Sequence, residues 1–196
     1  MKKGLIVLIV IAVVVLGLFL WVKNTYNSLV KMDEGVNGAW SQVENVYQRR
    51  ADLIPNLVAT VKGYAAHEQE TLEGVVSARS KATQMTVDAN NLTPEALEKY
   101  QKAQGELGSA LGKLLAITEN YPDLKANQNF LELQSQLEGT ENRIAVERQK
   151  FNEAAKVYNT TIRQFPRNIF AGMFGFEKKP YFESAQGAEV APKVEF

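Results

Sequence analysis

From Gly4 to Val22 the chain carries only apolar side chains and glycine. At about 1.5 Å rise per residue, a helix over this run spans roughly 28 Å, close to the hydrocarbon thickness of a bilayer. Met1-Lys2-Lys3 precede the run, and Trp21 and Lys23 lie at its far end. Both flanks suit the membrane–water interface. A cleaved secretory signal is the rival reading, but it needs a shorter apolar core followed by a small-x-small site. Here Leu18-Phe19-Leu20-Trp21-Val22 passes straight into Lys23-Asn24-Thr25-Tyr26. The expectation is an uncleaved signal anchor. Lys2 and Lys3 favour a cytoplasmic N-terminus, but Lys23 and Lys31 sit on the other side; the bias is small, and it leaves the remainder expected outside the cytoplasm.

Beyond the anchor the hydrophobic period becomes that of packed helices. Leu29, Val36, Val43, Arg50, Leu57 and Tyr64 are seven apart, and Asp33, Trp40, Tyr47, Ile54 and Val61 interleave four further on. These are the two seams of a heptad helix. Pro55 falls inside it and removes one backbone donor, so a kink near Ala51 is expected within one helix. A second helix begins near His67-Glu68 and carries Leu72, Val75, Val76 and Arg79. Thr93-Pro94-Glu95 reads as an N-cap, a first-turn proline and a first-turn acid. The helix it opens places Tyr100, Leu107, Leu114 and Tyr121 on one line, with Leu111 and Thr118 beside it, and stops at Pro122. In the last helix Phe130, Leu137, Ile144, Phe151, Tyr158 and Phe165 recur every seven residues, and Pro166 ends it. No run alternates as a strand does. The predicted fold class is all-α: an N-terminal transmembrane helix followed by an elongated antiparallel four-helix bundle. The expected divisions are a basic flank at 1–3, the anchor at 4–22, the bundle at 23–183 and a disordered tail at 184–196.

Composition removes most chemistry. The chain has 22 basic and 22 acidic residues and a formal net charge of zero. No basic stretch is interleaved with aromatics, so nucleic acid is not an expected partner. One histidine and no cysteine leave no lipoprotein anchor and no zinc ligand set. A di-metal carboxylate bundle needs a histidine on each of two helices. There is no nucleophile elbow, Walker sequence or dinucleotide glycine pattern. No catalytic, cofactor or metal residues are assigned, and the chain is expected not to be an enzyme. His67-Glu68 reads as a helix junction.

Two features remain. Asp33 and Arg50 fall on seam positions of the first helix, and Glu141 and Arg148 on or beside those of the last. They either snorkel to solvent or form a structural polar layer in which Arg50 meets Glu141 across antiparallel helices. The segment Arg167 to Phe176 is aromatic and punctuated by glycine. It reads either as a strap over the end of the bundle or as a membrane-proximal or partner contact through Phe170, Met173, Phe174 and Phe176.

The ordered motifs Tyr26-Asn27-Ser28-Leu29, Gln48-Arg49-Arg50-Ala51-Asp52-Leu53-Ile54-Pro55-Asn56-Leu57, Val61-Lys62-Gly63-Tyr64 and His67-Glu68 resemble those of bacterial LemA family proteins. So do Glu119-Asn120-Tyr121-Pro122-Asp123-Leu124, Glu141-Asn142-Arg143-Ile144, Phe151-Asn152, Tyr158-Asn159 and Phe174-Gly175-Phe176. The resemblance covers about residues 20 to 185 and makes the 23–183 bundle LemA-like. It implies a single-pass membrane protein without catalytic residues, similar to magnetosome-membrane proteins. By resemblance only, it also implies a scaffold or adaptor for an envelope protein partner such as a membrane metallopeptidase, with homo-oligomers as a further possibility. The alternative is a carboxylate-based ligand- or metal-binding bundle using Asp52, Glu68 or Glu141 with Arg50.

Overall fold

The computed structural model describes residues 2–183, so the tail expected at 184–196 lies outside the described residues. Helix α1 runs from Lys2 to Lys62 as one element of 61 residues. It does not break where the apolar run gives way to the heptads, because residues 18–34 contain neither glycine nor proline. Its apolar stretch is uncovered by the rest of the protein, and among the described residues it is the one helix long and apolar enough to cross a membrane. Burial begins at Thr25 and Leu29. The part of α1 beyond the anchor is about 60 Å long.

The other helices are α2 (Gln69–Gln84), α3 (Pro94–Thr118), the single turn α4 (Pro122–Lys125), α5 (Gln128–Arg163) and α6 (Arg167–Met173), with a 3₁₀ turn at Ala89–Asn91. Among the described residues there is no strand. The direction of each helix follows from its contacts with α1. Arg79 reaches Ala51, and the Asn37 amide donates to Asn90 Oδ1, so α2 and its exit loop return toward the anchor. Tyr100 packs on Trp40 and Gln104 meets Arg50, so α3 climbs away again. Glu141 also meets Arg50, and Phe151 packs on Trp40, so α5 descends.

Local chemistry sets the boundaries. Thr93 accepts from the Ala96 N–H at 3.2 Å with Pro94 in the first turn. Asn127 accepts from the Phe130 N–H at 3.0 Å and starts α5. At the end far from the anchor, Tyr121 donates to Glu68 at 2.9 Å and Asn127 donates to the Tyr64 hydroxyl at 2.9 Å. These bonds tie the α1–α2 turn to the α3–α5 connection. His67 is exposed in that turn.

The apolar seams fill the interior except at their ends. Tyr64 is 44 % exposed, since α1 stops at Lys62 and the chain turns before it. Phe165 is 81 % exposed, so the seam of α5 ends at Tyr158 and not at Phe165. The reason is Pro166, which disfavours helix at Phe165, so α5 ends at Arg163 and the heptad register ends with it.

Burial also sets the acidity of two core phenols. It pushes Tyr158 up to about 12, aided by Asp33 and Glu177, and raises Tyr100 as well, aided by Tyr47 and Glu44. A raised folded-state value means that the phenol contributes stability below its unfolded pKa of about 10, and loses it as pH climbs through the folded value. An absorbance titration of the folded protein should therefore leave these tyrosines neutral well past pH 10, whereas in urea all seven should ionise together. Ionisation of all seven in one step near that pH, without denaturant, would contradict the packing.

Candidate functional site

The core is divided. One apolar cluster, nearer the anchor, contains Leu29, Val36, Trp40, Val43 and Tyr47 of α1 with Tyr100, Ile144, Phe151 and Tyr158. The other contains Ile54, Leu57 and Val61 with Leu72, Val75, Leu107, Leu114, Phe130 and Leu137. Arg50 lies between them, only 3 % exposed. Its Nη1 donates to Glu141 Oε1 at 2.7 Å. Its Nη2 donates to Gln104 Oε1 at 2.7 Å and to the Gln104 carbonyl at 3.0 Å. The guanidinium sits 5.1 Å from the Tyr47 ring centroid, a cation–π contact. Only Nε lacks a partner. A planar donor fork suits this place because it can reach two other helices at once.

A second arginine reaches α1 close by. Pro55 has no N–H, so the carbonyl of Ala51, four residues earlier, loses its partner within the helix. Arg79 Nε donates to that carbonyl at 2.7 Å. This bond satisfies the acceptor and lets α1 continue as one helix through Pro55. Arg79→Ala should destabilise the protein by about 1–2 kcal/mol. In a Pro55→Ala background the new N–H takes the carbonyl, and the penalty should fall by about 1 kcal/mol in a double-mutant cycle. Additive effects would show that the two residues are not linked in this way.

Arg148 stands beside Tyr47, whose ring Arg50 covers, whereas Asp33 does not join Arg50 and Glu141. Asp33 pairs with Lys179 at 3.0 Å, some 25 Å down α1 from Arg50. Arg148 donates to the Glu183 carbonyl at 2.8 Å and lies 4.8 Å from the Phe182 ring centroid.

The segment after α5 also divides. Residues 177–183 run extended along α5, held by two asparagines. Asn159 donates to the Lys179 carbonyl at 2.8 Å and accepts from its N–H at 2.9 Å. Asn152 does the same with Phe182, at 2.9 and 2.8 Å. Each side-chain amide pairs with a backbone residue as a neighbouring strand would. The spacing matches: seven residues of helix advance about 10.5 Å, and three of extended chain about 10 Å. This strap inserts Phe182, 5 % exposed, against Trp40 and Phe151 with centroids 5.9 and 5.4 Å away.

Helix α6 instead clasps α1 at the end of its apolar run. Phe170 packs edge-on to Trp21 at 5.1 Å, and Tyr26 meets Phe174 at 5.0 Å and Phe176 at 5.8 Å. Ala171 is buried beneath it. Gly175 has φ +75°, and the Phe176 N–H then donates to the Ala171 carbonyl at 2.9 Å. That left-handed turn, open to glycine at no steric cost, folds Phe176 back onto Tyr26. Met173 points away from these contacts and is 69 % exposed.

The carboxylates of the ligand-binding alternative are dispersed. Asp52 accepts from Gln48, Glu68 from Tyr121 and Glu141 from Arg50. Among the described residues no three His, Cys, Asp or Glu side chains converge as metal ligands. Gln104, Arg79, Asn152, Asn159 and Phe182 were not legible as partners from spacing alone. The signals available were the missing donor at Pro55 and the seven-residue interval between the two asparagines.

The sequence is similar to those of known proteins over most of its length. Magnetosome protein MamQ 2 of Paramagnetospirillum magneticum is 31% identical over 179 residues, covering 81% of this chain and 64% of that protein. The chain therefore spans a little under two thirds of that relative. Magnetosome protein MamQ of Magnetospirillum gryphiswaldense is 30% identical over 193 residues, covering 86% of this chain and 70% of the relative. Protein LemA of Metamycoplasma hominis is 25% identical over 175 residues, covering 89% and 76%. The LemA family model matches residues 39–196, a span that takes in the Arg50 layer, the Pro55–Arg79 contact and both strap asparagines, and the chain belongs to the LemA family.

Proposed function

We propose that this protein is a membrane-anchored scaffold of the bacterial cell envelope, binding another envelope protein along its helical rod and performing no catalysis. The observation that carries this reading is the continuity of α1, in which one helix is both the apolar anchor and the spine of the bundle. With no hinge between the two, the bundle stands at a defined angle to the bilayer. A rigid arm of about 60 Å is suited to holding a partner at a set height and orientation. The outer face of α5 is one place to hold it, since Val146 and Val157 are 48 and 51 % exposed. The reading puts the bundle outside the cytoplasm, beyond an inner membrane spanned by residues 4–22. A membrane metallopeptidase or a second copy of the chain is the class of partner it favours.

Two experiments test it. Val146→Cys in this cysteine-free chain should react with an impermeant maleimide added to intact cells from which any outer membrane has been stripped. Labelling only after lysis would reverse the orientation. A photo-crosslinker at Val157 should give a discrete adduct at native expression, and a strictly solitary monomer would remove the scaffold reading.

A further inference from the structure

We propose that α6 is a second membrane contact, a collar whose outer face rests in the lipid interface beside the anchor. The inference depends on α1 spanning the bilayer. The position of α6 along α1 is fixed by Phe170 on Trp21 and by Phe174 and Phe176 on Tyr26. Trp21 is the next-to-last residue of the apolar run, so a bilayer that covers residues 4–22 ends at the level of α6. The face of α6 turned away from α1 is apolar at that level. Ile169 is 52 % exposed and Met173, four residues on, 69 %. Phe165, just before the helix, is 81 % exposed. In water three such side chains are an unfavourable exposure. At a lipid interface they are favourably placed, and the cations around them are too. Arg163 and Arg167 precede the aromatic stretch and Lys178 follows it, within reach of phosphate headgroups.

The occupant is lipid, not a protein groove, because the exposed face continues the surface of the anchor. The same Trp21 whose ring meets Phe170 is 40 % exposed, on a helix whose preceding apolar side chains are all uncovered. The break in the α5 seam then has a use. Pro166 ends α5 at Arg163, two residues short of Phe165, and leaves Phe165 facing outward from the core. Two contacts, a span and a collar, would stop the rod from tilting or rotating about its anchor.

Full-length protein with one cysteine, carrying an environment-sensitive fluorophore, would be reconstituted in phosphatidylcholine–phosphatidylglycerol vesicles. The sites are Met173→Cys for the collar, Val13→Cys for the span and Val146→Cys for the rod, with Ile169→Cys as a second collar site. All four native side chains are exposed, which keeps the fold intact. Lipids spin-labelled near the headgroup should quench the collar probes, lipids labelled near the chain end should quench the Val13 probe, and the Val146 probe should be unaffected. If the Val13 probe is quenched but both collar probes are not, the collar faces water and the proposal is overturned while the anchor stands. Quenching at Val146 as strong as at the collar would also overturn it, since the contact would then be unspecific. With no quenching anywhere, both the anchor and the collar fall. Quenching at the collar without quenching at Val13 would also overturn it, since the collar is placed by the span.

Discussion

Arg50→Ala should be among the most damaging single substitutions in the bundle, costing about 3–5 kcal/mol, while its neighbour Arg49→Ala should cost almost nothing. The difference is one of environment. Arg49 is exposed, whereas Arg50 is enclosed between two apolar clusters. Removing its guanidinium leaves the Gln104 side-chain amide oxygen without its donor in the interior and opens a void at the centre of the molecule. Glu141 suffers less, because its side chain is 48 % exposed and water can replace the arginine. Glu141→Gln should accordingly cost no more than about 1 kcal/mol. Arg50→Met separates volume from charge: it refills the void and should recover part of the loss. The measurement is the thermal midpoint of each variant, with about 2–4 °C lost per kcal/mol in a domain of this size. Equal midpoints for Arg50→Ala and Arg49→Ala would show that the polar layer is not a structural element.

Phe182→Ala should rank beside it, at about 3–4 kcal/mol. Phe182 comes from an extended segment, yet it completes the aromatic group formed by Trp40, Tyr100 and Phe151. Its loss removes a buried ring and leaves Arg148 without the face it covers. The neighbouring Tyr181→Ala, at a 42 % exposed side chain, should have little effect. Hydrogen exchange gives an independent readout. The Phe182 and Lys179 amides, each donated to an asparagine side chain, should be protected in the native protein and exchange rapidly in the Asn152→Ala, Asn159→Ala double variant. Slow exchange in that variant would mean that the strap is held by something other than the asparagines. Deleting residues 167–182 as a block would remove the strap and α6 together, so it could not tell the role of one from that of the other.

The elements were legible because their signals are local. The uninterrupted apolar run, the seven-residue returns of Val36, Val43 and Leu57, and the Thr93-Pro94 start each act within one helix turn or along one face. The all-α class and the up-and-down order follow from them, and so does the meeting of Arg50 with Glu141, since antiparallel heptads bring two off-pattern charges to one height. What stayed hidden depended on geometry between segments. Asp33 looks like a member of the same polar layer when only seam positions are considered, but its partner, Lys179, comes from a strap that has no periodicity to reveal its path, and the same strap supplies the Glu183 carbonyl to Arg148. Phe165 continues the heptad arithmetic and still leaves the core, because the helix that would carry it ends at Arg163.

Residue order alone was enough to define an apolar span, four packed helices and a chain poor in catalytic groups, since hydrophobic period, proline and capping are read within a few residues. Tertiary structure decided which donor reaches the carbonyl freed by Pro55, where the aromatic tail returns, and which of its faces is left open beside the anchor. Those outcomes depend on distances between residues far apart in sequence, and only the packed chain sets such distances.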